Sequence, residues 1–403
     1  MSNAPPNLPA TLSARQRVLR YVALHAVLLS MLAGQPASGQ SRVAGELSST
    51  TQDRLSTHDW WPTKATPPLS AYASAGACAG CHVKQASPQP NTPMAEAASR
   101  LKGNTHGQKI PSEALTLGTY LYKTSSDRLG SSLAVSAGKQ TVTAEIAWIF
   151  GAGVRGQTYI LESQGVFYES QVSSFAGLPG LGLTPGHAAA EPGNLKNAIG
   201  ARLTVWGMAR CFACHTTSSS TGSRFDLSHT VPGVHCEGCH GPGLEHVLLE
   251  QAEDLEGGSK AILNPAHLSP VESVDFCGAC HRTSVDVVES GEYNPINVRF
   301  QPYRLEKSRC WGTQGDVRLT CVACHNPHEP LVRSASFYDG RCLQCHAPRG
   351  NDSAGTGPAH SVCPKATANC TSCHMPKYDV PSMHAPFTDH FIRVVQAGES
   401  YPN

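Results

Sequence analysis

Seven times the 403-residue chain reads Cys-x-x-Cys-His. The cysteine pairs are Cys78 and Cys81, Cys211 and Cys214, Cys236 and Cys239, Cys277 and Cys280, Cys321 and Cys324, Cys342 and Cys345, and Cys370 and Cys373. A histidine follows each pair at once: His82, His215, His240, His281, His325, His346 and His374. Fourteen of the 16 cysteines are used this way. Two thiols three residues apart reach the two vinyl groups on one porphyrin edge and form thioethers. The adjacent imidazole then lies under the ring and ligates iron. A zinc site needs two Cys-x-x-Cys pairs for one metal and has no use for a histidine after each. A thioredoxin-like redox pair expects one motif in a strand–helix context. The spacing implies seven covalently attached haem c groups.

Distal ligands must come from the remaining histidines and a few methionines. His187 lies in Thr-Pro-Gly-His, His384 and His390 in the C-terminal stretch Met383-His-Ala-Pro-Phe-Thr-Asp-His390. His246 follows His240 closely, and His328 follows His325 in His-Asn-Pro-His. A histidine that near its own proximal ligand does not easily reach across the same ring; turned outward, it can ligate a neighbouring haem. Met94 in Thr-Pro-Met-Ala is the candidate for the first haem, where a thioether would raise the potential relative to two imidazoles. His229, His235, His267 and His360 are weaker candidates, His58 and His106 weaker still. For each, the alternative is a surface or supporting histidine. Six good candidates for seven irons leave room for one five-coordinate haem.

Cys310 and Cys363 belong to no motif. In an oxidising compartment two such cysteines form one disulfide most simply, here closing a loop around the fifth and sixth haems. The alternative is a pair of buried thiols.

The elements that must position these groups are uneven along the chain. Residues 1–39 carry Arg15, Arg17 and Arg20 and no acid, an apolar stretch from Tyr21 to Leu32, and small residues at Ala37-Ser38-Gly39. This is the pattern of a cleavable signal peptide, so the mature protein is expected in the periplasm or at the cell surface. No cysteine follows the apolar stretch to suggest a lipid anchor, and no apolar run reaches about 18 residues; membrane association is expected only through a partner. Residues 40–110 form a lead-in and the first haem segment. Residues 111–185 read as a small antiparallel β insertion of four or five strands. Residues 186–403 are a six-haem body of short α-helices and loops around a haem core. In the insertion, Val142, Ala144, Ile146 and Trp148 alternate with polar residues, a period of two. Further β-rich runs are Thr119–Lys123, Thr158–Leu161 and Val166–Val172. Gly151-Ala-Gly153-Val-Arg-Gly156 matches a dinucleotide fingerprint. The adjoining Gln157-Thr-Tyr-Ile-Leu161 reads as a strand and not the required helix, so the string is expected to be a hairpin turn.

Charge narrows the partners. Only 15% of residues are charged, with 31 basic and 30 acidic side chains, which excludes a nucleic-acid surface. Removing residues 1–39 leaves 28 basic against 30 acidic side chains. Two propionates per haem make the working protein acidic, suited to redox partner proteins with basic docking surfaces.

Several phrases carry a family resemblance. Cys78-Ala-Gly-Cys-His82 with Thr-Pro-Met94-Ala, Gly233-Val-His-Cys-Glu-Gly-Cys-His-Gly-Pro-Gly243, Leu319-Thr-Cys-Val-Ala-Cys-His-Asn-Pro-His328 and Cys373-His-Met-Pro-Lys377 resemble exported multihaem cytochromes c of the cytochrome c-554 and hydroxylamine-oxidoreductase-like superfamily. The resemblance covers most of residues 70–392 and is specific in the haem body. It implies closely stacked, largely bis-histidine haem pairs that relay electrons. It also implies that His187, His246, His328, His384 and His390 match positions often used as distal ligands. Catalytic relatives bear a Cys-x-x-Cys-Lys or similar variant at the active haem, and none occurs here. The leading expectation is an electron carrier ahead of a catalytic oxidoreductase. The alternatives are an oxidoreductase acting on a small nitrogen or sulfur compound at a five-coordinate haem, and a subunit of a haem filament or surface complex.

Overall fold

The described residues of the computed structural model are 68–102, 110–128, 130–221, 224–308, 310–311, 319–346, 363–396 and 398–402. The expected signal peptide over 1–39 and most of the lead-in, with His58, His106 and His360, lie outside them.

Period-two alternation after the first motif folds into a nine-stranded sheet. Its strands are β1 (Ala98–Arg100), β2 (Ala114–Leu117), β3 (Tyr120–Ser126), β4 (Ser131–Ala137), β5 (Gln140–Phe150), β6 (Gly156–Ser163), β7 (Val166–Phe175), β8 (Leu181–Leu183) and β9 (Gly200–Arg202). From β2 to β8 each strand pairs with the next, all antiparallel, while β1 adds to β5 and β9 to β7. The meander curls until its ends meet: β2 touches β8, and a Cβ on Gly180 would stand 3.1 Å from the Ala114 carbonyl oxygen. The result is a nearly closed barrel, which removes the exposed edges of an open meander.

The sheet exceeds the four or five strands expected over 111–185. β1, β8 and β9 have three residues each, too few to display a period, and β1 and β9 fall outside those bounds. β4 alternates cleanly in burial, with Leu133 and Val135 inward. Its outward positions are Ser132, Ala134 and Ser136, which offer little polar contrast in the sequence. Gly151 and Gly153, at φ 104° and 76°, form the β5–β6 turn, so the dinucleotide-like string is a hairpin as expected.

Short helices make up most of the remainder: α1 (Ala75–Cys81), α2 (Val205–His215), α3 (Cys236–His240), α4 (Leu244–Gln251), α5 (Pro270–His281), α6 (Gln301–Glu306), α7 (Cys321–Cys324), α8 (Ala335–His346) and α9 (Cys370–His374). Two of the longer ones start on strong caps. Ser269 and Glu272 form a capping box on α5 with Pro270 at its first position, and Thr204 caps α2.

The barrel interior is filled by Tyr122, Leu133, Val135, Ile146, Tyr159 and Leu161, among others. A second cluster lies on its outer face, where Ala98, Trp148, Phe150 and Ile160 pack against Met208 and Phe212 of α2. Period two places Trp148 on the same face as Val142, Ala144 and Ile146. The structure does not: the register of β5 against β6 shifts between Ile146 and Trp148. A bulge of this kind reverses which side chains face inward, so Ile149 joins the interior while Trp148 and Phe150 turn to α2. Both rings meet Phe212 edge-on, with centroids 4.8 and 4.9 Å apart. Through this cluster the barrel is fastened to the helix carrying the second motif. Truncating Trp148→Ala is expected to cost about 3–5 kcal/mol, read as a lowered denaturant midpoint in the far-ultraviolet signal. A loss under about 1 kcal/mol would show that this cluster is not the anchor.

Candidate haem centres

All seven motifs close a helix. Residues three and four apart share one face of an α-helix, so both thiols and the imidazole project from the same side of the last turn. Helices α2, α3, α5, α8 and α9 end on the motif histidine, whereas α1 and α7 end on the second cysteine with His82 and His325 as C-caps. No bridge between Cys310 and Cys363 is seen among the described residues. Burial raises the thiols of Cys324 and Cys342, and nearby Cys310 adds to both shifts. Cys363 has other company: backbone N–H groups of Lys365 and Ala366 hold its thiol below the usual range.

Three pairs of imidazoles face each other across a gap. Ring centroids are 6.3 Å apart for His82 and His246, 6.1 Å for His240 and His328, and 6.3 Å for His325 and His390. A metal–imidazole bond is about 2 Å, and roughly 1 Å more separates each nitrogen from its ring centre, so two imidazoles on opposite sides of one metal have centroids about 6 Å apart. The observed gaps match that value. In each pair a motif histidine meets one from a later segment. His246 comes from α4, just after the third motif, and faces the first; His328 follows the fifth motif and faces the third.

Second contacts orient several rings. The Nδ1–H donates to the carbonyl of Ala97 from His215 (3.0 Å), of Leu263 from His240 (2.9 Å), of Gly258 from His246 (2.8 Å), and of Arg393 from His374 (2.8 Å). A carbonyl only accepts, so the proton sits on Nδ1 and the lone pair on Nε2, the tautomer a metal-binding imidazole needs.

The other candidates have different surroundings. Both ring nitrogens of His187 are engaged, Nδ1 with Gln171 at 2.8 Å and Nε2 with Glu169 at 3.2 Å. His384 packs edge-on to Phe175, centroids 4.8 Å apart, where its Nε2 would be 2.8 Å from a Cβ on Gly182. The Met94 carbonyl accepts from Ala97 and Val234, and the ring facing His82 is His246. His229 pairs with Asp226 at 2.7 Å, and His235 Nε2 donates to the Pro232 carbonyl at 3.0 Å. His267 lies 3.4 Å from the Asn264 amide.

Motif cysteines also meet across helices. Cys78 lies beside Cys236, Cys277 beside Cys321, and Cys342 beside Cys370. Cys239 acts on Cys277, and Cys214 Sγ lies 3.8 Å from the Ala279 carbonyl on α5. The motifs therefore run in space from the first to the third, fourth, fifth, sixth and seventh, with the second joined at the fourth.

His390 is held by the most buried ion pair among the described residues. Arg304, from α6, bonds Asp389 through Nε at 2.8 Å and Nη2 at 2.9 Å, with both side chains fully buried. Its Nη1 donates to the Pro402 carbonyl, and its guanidinium lies 4.6 Å over the Tyr401 ring. Arg393 adds a third bond to Asp389 at 2.9 Å, and Ser308 Oγ donates to the His390 carbonyl. Burial pushes His390 down to about 4, so at neutral pH its ring is uncharged and keeps a lone pair. Sequence reading missed Arg304 and Asp389, because partners 85 residues apart leave no local pattern.

These residues fit haem c. Among the described residues no three of His, Cys, Asp or Glu converge as a bare metal ion would require; the donors come as two thiols and one imidazole per helix end. Beyond Cys236, the buried apolar side chains described are Val274, Ala279, Val287, Val298, Tyr303, Leu305 and Val380. That core is thin for the length it serves, and porphyrins would supply the missing apolar bulk.

Residues 190–241, spanning the second and third motifs, match the family described as cytochrome c554 and c-prime. The chain is also similar to the multiheme cytochrome MtrA of Shewanella baltica (strain OS185), 24% identical over 213 residues that cover 46% of this chain and 58% of that protein. The match thus spans little more than half of the relative's length. No solved structure matches the chain.

Replacing Asp389→Asn would leave Arg304 buried without its counter-charge. The expected loss is about 3–5 kcal/mol, measured by denaturant titration, together with a changed low-spin signal from a single haem as His390 shifts. An unchanged midpoint would show that the pair does not hold the C-terminal segment.

Proposed function

We propose that this multihaem c-type cytochrome of the cytochrome c-554 superfamily is an exported heptahaem electron carrier working in the periplasm or at the cell surface. Seven haem c groups are held by the fourteen motif cysteines and by His82, His215, His240, His281, His325, His346 and His374. Bound haem supplies one-electron iron chemistry. The chain supplies attachment, axial ligation and the distances between sites.

The single observation that carries this reading is the set of facing imidazoles at 6.1–6.3 Å. An iron ligated from both sides by the protein has no position left for a substrate, so its task is to accept and release electrons. On this reading His246, and not Met94, is the second ligand of the first haem; His328 serves the third and His390 the fifth. His187, with both nitrogens bonded to side-chain oxygens, is a supporting residue of the barrel. Contacts between motif cysteines support a connected series of sites, as a relay requires. The acidic holo-protein then suits donors and acceptors with basic docking faces, recognised by charge complementarity.

Mass spectrometry and a haem-stained denaturing gel test the cofactor: the mature mass should exceed the polypeptide by seven haems, and a bare polypeptide mass would end the reading. Low-temperature EPR tests the role. Low-spin signals unmoved by nitrite, hydroxylamine or cyanide are expected, whereas a high-spin haem converted by any of them would favour small-molecule catalysis. The variant His328→Met should raise one haem's midpoint in a potentiometric titration, because a thioether replaces an imidazole.

A further inference from the structure

Two buried carboxylates tie motif helices together, and neither belongs to a pattern that marks ligands. Glu237 occupies an x position of the third motif and is 5% exposed. Its Oε1 accepts the N–H of Ala73 at 2.7 Å and of Gly243 at 2.8 Å, and Oε2 accepts that of Ser74 at 3.1 Å. Ala73 and Ser74 lead into α1, which delivers His82; Gly243 leads into α4, which delivers the facing His246. One carboxylate thus holds the starts of both helices that build the first centre, from within the motif that builds the third.

Asp339 repeats the device at the other end of the series. It lies on α8 three residues before Cys342 and is 7% exposed. Oδ2 accepts the N–H of Asn369 and Oδ1 that of Cys370, both at 2.8 Å, at the start of α9. Those two bonds hold its carboxyl below the usual range, so it is ionised. The same motif pairs, first with third and sixth with seventh, are those whose cysteines touch through Cys78–Cys236 and Cys342–Cys370.

We infer that Glu237 and Asp339 are positioning residues for two haem pairs, each fixing the approach of two motif helices and placing one buried negative charge beside both. This rests on the haem reading above. A fixed anion in a poorly solvated site opposes the arrival of an electron, so each clamp lowers the midpoints of its own pair relative to the other haems. The carboxylates touch no iron; they act through the helix starts they hold and through their charge.

The test uses the full-length holo-protein, with haem content first verified by mass. In Glu237→Gln a neutral amide replaces the carboxylate, and two of the seven midpoints should rise in a spectropotentiometric titration. Asp339→Asn should raise a different two, and the double variant should raise all four. Glu237→Asp keeps the charge and should restore the midpoints towards wild type. Glu237→Ala removes the clamp, and the spin coupling within one haem pair, seen by EPR, should weaken. The inference is overturned if both single variants move the same haems, move none, or move no more than Glu289→Gln, an exposed control. Full haem content with unmoved midpoints would sink the clamps alone, whereas missing haem mass would sink the reading on which they rest.

Discussion

Ligation of a metal from two sides demands two imidazoles about 6 Å apart on opposite faces of one plane, and three pairs of rings in this molecule stand at that separation. A helix end can place two thiols and one imidazole on one face, but it cannot supply the opposing ring. On the proposed reading the second ring comes from another part of the chain, and His246, His328 and His390 stand where it would be needed. Each facing pair therefore couples segments distant in sequence, and each short helix gains its place from a partner it meets only after folding.

Helices of four to twelve residues have little stability of their own, so other interactions must hold their directions. Glu237 and Asp339 bind the exposed N–H groups at the starts of neighbouring helices. Arg304 and Asp389, with Arg393, fasten the C-terminal segment that brings His390 into position. Nδ1 bonds to backbone carbonyls set the ring planes. At the second motif the task falls to apolar packing, where Trp148, Phe150 and Phe212 join the barrel to α2. The barrel has a side-chain core of the ordinary kind, and the motif-rich region does not. These are two ways of excluding water within one chain.

Much of the site is legible in the sequence. The seven Cys-x-x-Cys-His sets follow from spacing alone, and His246 and His328, expected as distal ligands because they stand too near their own motif to serve it, do face rings of other motifs. Strand β5 follows from alternation, and β3, β6 and β7 from β-rich runs. What escaped has definite causes. The bulge after Ile146 reverses the phase of β5, which no period-two count detects. The sequence also could not show that Gln171 and Glu169 hydrogen-bond both nitrogens of His187. Glu237 fills a position where any residue satisfies the motif, so its burial and its three N–H partners carry no sequence signature.

By itself, then, the sequence determined the chemistry: seven sets of two thiols and an imidazole, because thioether attachment and proximal ligation are met within five consecutive residues. Only the tertiary structure decided which second imidazole faces which first, which motifs lie side by side, and which charges stand beside them. Those relations join residues tens to hundreds of positions apart, as with His82 and His246 or Ala73 and Glu237. They arise from the closure of the chain on itself, and no local spacing encodes them.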